Sequence, residues 1–103
     1  MEIVKGQTWV FKKRTPLVIW EVVRGYIVWA NDEPKAYPQI YTPADFKDIF
    51  IKACKAKLLD ECDYMGWLIV WDNADSTWNA AEVGSFSTLK EAQDALDIYL
   101  ADK

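Results

Sequence analysis

The chain has 103 residues and contains no histidine, which limits both its size and the chemistry that it can carry out. About 100 residues form one domain, so the sequence predicts a single compact domain over residues 1–103. Without histidine there is no Ser-His-Asp or Cys-His catalytic group and no imidazole metal ligand. Cys54 and Cys62 are too few for a disulfide scaffold or a four-thiolate zinc site, and no glycine-rich phosphate loop occurs. We therefore expect no enzyme activity, no cofactor and no metal.

The sequence also predicts where the protein is found. Its longest uncharged apolar stretch, residues 65–71, is far shorter than the roughly 18 residues of a membrane span. The first residues do not combine a basic segment with a following apolar one, so no signal peptide is predicted. We expect a cytoplasmic protein without a membrane partner.

Three β-strands are predicted in the first third of the chain. Residues 8–12 alternate between two faces, and residues 17–23 and 26–30 are rich in β-branched and aromatic side chains. Arg24 and Gly25 separate the last two strands by only two residues, which indicates a hairpin. The loop that follows, residues 31–41, contains two prolines and allows at most a short edge strand.

A first helix is predicted to begin at Thr42, which can accept a hydrogen bond as the N-cap. Pro43 fits the first helical position, and Asp45 completes a variant of the capping box. Apolar side chains then recur every three or four residues, so we expect the helix to reach residue 58 or 59.

The second half begins with a predicted acidic connection over residues 60–66. Residues 67–71 then indicate a buried strand, and residues 78–83 indicate a weaker one. Thr88, with Glu91 three residues later, predicts the start of a final helix that runs to about residue 101.

The predicted order of elements is β-β-β-α-β-β-α, and the predicted fold class is α+β. An antiparallel sheet of about five strands with both helices packed on one face would bury both apolar helical stripes. Residues 27–33 and 69–75 both contain Ile-Val-Trp followed by an Asn two residues later. This echo indicates either a weak internal duplication, with related halves at about 17–58 and 66–101, or coincidence between two core strands.

Charge is distributed unevenly along the chain. Residues 1–57 hold ten Lys or Arg and six Asp or Glu, whereas residues 58–103 hold two and ten. An acidic surface would steer a basic partner toward the protein, although the same carboxylates could simply keep it soluble. The predicted acidic partner-binding face consists of Asp60, Glu61, Asp63, Asp72, Asp75, Glu91, Asp94 and Asp97.

Six Trp and five Tyr are many for so short a chain, and both residue types are enriched at interface hot spots. Trp78 follows a polar turn in a weakly apolar strand, so we predict that it is exposed for partner binding, with Tyr37 and Tyr64 next. Four other tryptophans are assigned to β-strand cores: Trp20, Trp29, Trp67 and Trp71.

The leading hypothesis is a non-catalytic protein-binding module whose partner is another protein with a basic surface. It would be an acidic inhibitor or immunity-type accessory protein, for example of a phage, that acts on a nucleic-acid-targeting defence enzyme. The alternative is a nucleic-acid-binding domain with a basic and aromatic face on the first hairpins. That face would consist of Lys12, Lys13, Arg14, Arg24 and Trp9. A homodimer is left open.

Overall fold

The chain divides into two compact units, Met1–Leu59 and Asp60–Lys103, and the computed structural model describes residues 2–102 of it. Each unit contains an antiparallel sheet and a helical segment, so the predicted α+β class is confirmed. The strands belong to two sheets, of five and four strands, rather than to the one predicted sheet. The charge division follows the same boundary, because residues 58 and 59 are uncharged leucines.

The N-terminal unit contains five strands, whose bounds are β1 (Thr8–Val10), β2 (Leu17–Val23), β3 (Tyr26–Asn31), β4 (Gln39–Tyr41) and β5 (Lys57–Leu58). They lie side by side in the order β4-β3-β2-β1-β5, and all neighbours are antiparallel. The three strands predicted in this region are confirmed, although β1 is shorter than expected. The proline-containing loop contributes β4 as an edge strand, as its two prolines allow.

The first helix starts as predicted and ends early. The Thr42 hydroxyl accepts a hydrogen bond from the amide of Asp45 at 3.2 Å, and α1 (Pro43–Phe46) continues directly into a π-helical segment (Lys47–Ala53). Lys55 then adopts a left-handed conformation with φ of 58°. The expected extension to residue 58 or 59 is wrong, because Leu58 pairs with β1 as part of a strand.

Aromatic rings form the centre of the N-terminal core. Phe50 is 1% exposed and contacts Trp29 edge to face with ring centroids 4.8 Å apart. Phe46 lies one helical turn earlier and contacts both Phe50, at 5.0 Å, and Trp9, at 5.8 Å. Aromatic pairs of this geometry add to the free energy gained by burying their surface, so the helical segment is held to the sheet mainly by two phenylalanines.

Trp20 is an exception to the predicted cores. The register of the β2–β3 pair shifts between Ile19 and Glu21, so Trp20 is an extra residue in a β-bulge. A bulge interrupts the two-residue alternation and redirects the side chain. Trp20 is consequently 45% exposed, and its assignment to a strand core is wrong.

Both units contain the same type of hairpin turn. Arg24 and Gly25 have φ of 50° and 83°, and Met65 and Gly66 have φ of 53° and 84°. Positive φ at both central residues defines a type I′ turn, whose twist matches that of the adjoining strands. The Ile-Val-Trp segment follows this turn in each unit, with its Ile and Trp buried. The hypothesis of a duplication stays a prediction.

The C-terminal unit is a four-stranded meander followed by a helix, with bounds β6 (Glu61–Tyr64), β7 (Trp67–Asp72), β8 (Thr77–Ala80), β9 (Gly84–Phe86) and α2 (Leu89–Ala101). The strands are antiparallel in chain order. The final helix is confirmed, and the Thr88 hydroxyl accepts from the amide of Glu91 at 3.2 Å. The predicted acidic connection is wrong, since Glu61–Tyr64 forms a strand. Within residues 2–102, no helix combines the length and apolar character needed to cross a membrane.

Candidate functional site

The two faces of the C-terminal sheet differ in what covers them. On the inner face, Trp67 contacts Tyr99 of α2 edge to face, with ring centroids 5.6 Å apart. Ile69 lies two residues further along β7 and is fully buried on the same side. Side chains alternate along a strand, so Leu68 and Val70 point away from α2. They are 52% and 41% exposed, although they belong to the most apolar strand of this unit.

Two carboxylates border these apolar side chains. In the β6–β7 pair, Asp63 lies opposite Leu68 and Glu61 lies opposite Val70, so all four project from the same outer face. Both acidic residues are exposed, and neither forms an ion pair within residues 2–102. We refer to these four side chains as the acidic sheet face.

The other predicted carboxylates near the sheet belong to turns or strand ends. The Oδ1 atom of Asp72 accepts hydrogen bonds from the amides of Ala74, at 2.9 Å, and Asp75, at 3.3 Å. Asp72 therefore shapes the turn between β7 and β8, and Asp75 is exposed within that turn. Asp60 is exposed just before β6, and its carbonyl accepts from the amide of Trp71 at 2.9 Å.

The three predicted acidic residues of α2 form a separate group with intramolecular partners. Glu91 accepts a hydrogen bond from the Ser87 hydroxyl at 3.1 Å, and Asp94 forms an ion pair with Lys90 at 3.5 Å. Asp97 accepts from a tyrosine hydroxyl of the sheet, at 2.9 Å. Because α2 packs on the inner face, the eight predicted carboxylates do not form one surface.

That tyrosine is Tyr64, which points to the inner face opposite Trp67. Its hydroxyl reaches both carboxylate oxygens of Asp97. The hydrogen bond to Asp97 raises the pKa of Tyr64 above its ordinary value, and desolvation and the negative charges of Asp97 and Asp94 act in the same direction. Tyr64 is therefore a half-buried part of the contact between sheet and helix rather than a projecting ring.

The predicted aromatic binding residues are not brought together. Trp78 is fully buried, and its ring lies 5.2 Å from that of Trp71, so the prediction that it is exposed is wrong. It lies opposite Trp71 and Phe86 on the inner face, and α2 packs against β8 on that face. Tyr37 is 84% exposed but belongs to the N-terminal unit.

Sequence reasoning missed Leu68 and Val70, because an uninterrupted apolar run suggests a strand covered on both faces. The residues just before this strand do indicate that one face of the strand is exposed. Glu61–Tyr64 alternates acidic and less polar side chains, which is typical of a strand with one solvated face. A hairpin partner of such a strand has one solvated face as well.

The alternative basic and aromatic face is not assembled as predicted. Trp9 is 3% exposed, and its indole nitrogen donates to the side-chain oxygen of Gln7 at 3.2 Å, so its ring is not a platform for a base. Arg24 follows the end of β2, whereas Lys12, Lys13 and Arg14 precede its start. A seven-residue strand spans about 20 Å, which separates these charges.

Arg14 is instead held against the core of the N-terminal unit. Its guanidinium lies over the ring of Phe11, at 4.8 Å from the centroid, and near that of Phe50, at 5.3 Å. One guanidinium nitrogen also donates to the side-chain oxygen of Asn31 at 3.2 Å. Lys12 and Lys13 beside it are exposed, and neither forms an ion pair in the described part of the chain.

No protein-family model, curated protein or solved structure matches the chain. Among residues 2–102, no three Cys, Asp or Glu side chains are grouped closely enough to hold a metal ion. The arrangement with the most distinctive surface chemistry is the acidic sheet face.

Proposed function

We propose that this chain is a non-catalytic protein-binding module that contacts a basic protein surface through the acidic sheet face. The observation that carries the proposal is the exposed pair Leu68 and Val70, bordered by the carboxylates of Glu61 and Asp63. No Lys or Arg within residues 2–102 forms an ion pair with either carboxylate.

The physical basis is the composition of protein interfaces. Exposed apolar side chains rimmed by polar ones mark contact sites, because a partner removes the apolar surface from water while the rim stays solvated. Leu68 and Val70 would contribute affinity by burial, and Glu61 and Asp63 would select a partner that carries Lys or Arg. The net charge of the C-terminal unit, with ten acidic and two basic side chains, adds long-range attraction toward such a partner.

The same charge distribution favours a partner other than a second copy. Two acidic sheet faces brought together would place like charges opposite one another, which costs free energy. Enzymes that handle nucleic acids present basic surfaces that hold phosphates. An inhibitor or immunity-type protein acting on such an enzyme is therefore the specific form that we propose, in the cytoplasm.

The experiment compares two double variants with the same change in charge. The test variant carries Glu61→Gln and Asp63→Asn on the sheet, and the matched control carries Asp94→Asn and Asp102→Asn on or next to α2. Each is used for affinity capture from a lysate, followed by titration of the captured protein against purified chain at low and high salt.

We expect the sheet variant to bind about tenfold more weakly than the wild type and to show a flatter salt dependence. Leu68→Ser should weaken binding without changing the salt dependence, since it removes apolar area only. The helix variant should bind nearly as well as the wild type. A loss confined to the helix variant, or binding unaffected by any of the three variants, would contradict the proposal.

A further inference from the structure

The N-terminal unit contains a depression of about 420 Å³ at one end of its sheet, formed by β3, β4 and the loop between them. This volume lies within the range of about 300–1,000 Å³ typical of small-molecule sites. Three aromatic side chains line it: Trp29, Tyr37 and Tyr41. Trp29 and Tyr41 contact each other edge to face at 5.3 Å, whereas the ring of Tyr37 is 84% exposed.

The wall of this depression contains an unsatisfied polar group. Trp29 is 5% exposed, and its indole N–H has no hydrogen-bond partner within residues 2–102. Buried donors are nearly always paired, because an unpaired donor loses its bonds to water without replacement. The nitrogen itself is closed off from solvent, so this donor is not a direct contact for a ligand in the depression, and the proposal below rests on the lining side chains.

Polar side chains converge on the same depression. Asn31 and Gln39 each contribute an amide group, and Glu33 contributes a carboxylate. The side-chain oxygen of Asn31 accepts from Arg14, so its NH₂ group remains as a donor. Amide and carboxylate groups beside aromatic rings can read the donors and acceptors on the edge of a nucleobase while a ring stacks on its face.

Positive charge lies at the same end of the sheet. Lys35 lines the depression, and the Arg14 guanidinium is bonded to Asn31 in its wall. Lys12 and Lys13 directly precede Arg14 and are exposed. Glu33 is the opposing charge in the lining. It would repel a phosphate, but it can accept a hydrogen bond from an amino group of a base or from a ribose hydroxyl.

We propose that this depression binds a nucleotide. The base of the nucleotide stacks on Tyr37 beside Trp29 and Tyr41. The polar edge of the base contacts Glu33 and the side-chain amides of Asn31 and Gln39. The phosphate of the nucleotide is held by Lys35 and the segment Lys12–Arg14. The site lies in the other unit from the acidic sheet face, and it does not depend on the protein-binding function proposed above.

The test uses the full chain labelled with ¹⁵N and titrated with AMP, GMP, CMP and UMP. At least one should shift the indole resonance of Trp29 and the backbone resonances of residues 31–39, with saturation below about 10 mM. Tyr37→Ala should weaken this binding at least about fivefold, because it removes the exposed stacking surface. Tyr26→Ala is the matched control, since Tyr26 is 52% exposed on the opposite face of the same sheet.

A second pair of variants separates phosphate binding from base binding. Lys35→Ala should weaken the mononucleotide about threefold or more and leave the corresponding nucleoside nearly unaffected. Lys47→Ala, at an exposed lysine of the helical segment, should change the affinity for neither ligand.

A single-stranded hexanucleotide distinguishes a nucleic acid strand from a free nucleotide as the source of the ligand. A strand is identified if the hexanucleotide binds about tenfold more tightly than the mononucleotide and loses this gain in Lys12→Ala/Lys13→Ala. Equal affinities would identify a free nucleotide.

Three results would overturn the proposal. The first is no saturable shift with any mononucleotide, and the second is equal binding of inorganic phosphate and mononucleotide. The third is a response of the same resonances to a methyl pyranoside but not to nucleotides, which would indicate a sugar site instead. Folding of each variant is checked by its amide spectrum, and Tyr37→Ala removes a side chain that is almost fully solvated.

Discussion

The hydroxyl of Tyr64 in β6 donates to both carboxylate oxygens of Asp97 in α2, at 2.9 and 3.1 Å. This contact joins the edge strand of the C-terminal sheet to the last helix. A neighbouring one is made by Gln93 of α2, whose side-chain amide donates to the Sγ atom of Cys62 at 3.8 Å. Both Tyr64 and Asp97 are predicted to bind a partner, but they bond to each other, and we therefore propose the outer face of the sheet as the acidic binding surface instead.

The ionisation of Tyr64 should report this contact. The Asp97 carboxylate accepts from the neutral phenol and repels the phenolate, so the folded pKa of Tyr64 is raised above its ordinary value of about 10. The stabilisation is therefore fully present below pH ~10 and is lost as the pH rises through the higher folded pKa. The difference in ultraviolet titration between wild type and Tyr64→Phe should show one tyrosine ionising above this value.

Asp97→Asn is the control for that titration. It keeps a hydrogen-bond acceptor but removes the charge, so the pKa of Tyr64 should fall back toward 10. A Tyr64 transition already at or below 10 in the wild type would show that the contact is not maintained in solution.

The six tryptophans should differ strongly in their effect on stability. Trp78→Ala removes a fully buried ring between β7 and β9, and we expect a loss of about 3–5 kcal/mol in the free energy of unfolding. Trp20→Ala removes a bulged and 45% exposed ring, and should cost no more than about 1 kcal/mol. Urea denaturation of both variants measures the difference. Equal losses would contradict the burial of these rings.

The type I′ turns offer a stabilising substitution. Arg24 and Met65 occupy positive-φ positions, with φ of 50° and 53°, that cost a non-glycine residue about 1–2 kcal/mol. Asn tolerates this conformation better, so Arg24→Asn or Met65→Asn should raise the free energy of unfolding by about 0.5 kcal/mol each. Thermal denaturation reports the gain. Arg24→Val is the opposite control, because a β-branched residue is strained there and should destabilise.

The acidic sheet face should reduce the stability of the free protein. Glu61 and Asp63 project from one face of one strand in a unit with strong excess negative charge. The double variant Glu61→Gln/Asp63→Asn should therefore raise the free energy of unfolding by about 0.2–1 kcal/mol at low salt, and the gain should shrink at high salt. A loss of stability in this variant would mean that the carboxylates have structural partners.

Local signals in the sequence determined much of this structure. The N-caps at Thr42 and Thr88, the Arg24-Gly25 hairpin and the helix Leu89–Ala101 were all predicted, because each depends on residues within a few positions of one another. The division of charge is likewise a property of the chain itself. It coincides with the boundary between the two units.

The tertiary structure decided what covers each face. Periodicity shows which side chains share a face, but the burial of that face depends on neighbours that are distant in sequence. Trp78 is buried because it projects from β8 to the inner face, which α2 covers, whereas Trp20 is exposed because a bulge turns it outward. For the same reason Leu68 and Val70, in an apolar run, face solvent beside Glu61 and Asp63. The candidate binding surface exists only because β6 pairs with β7 in this register and α2 covers the opposite side.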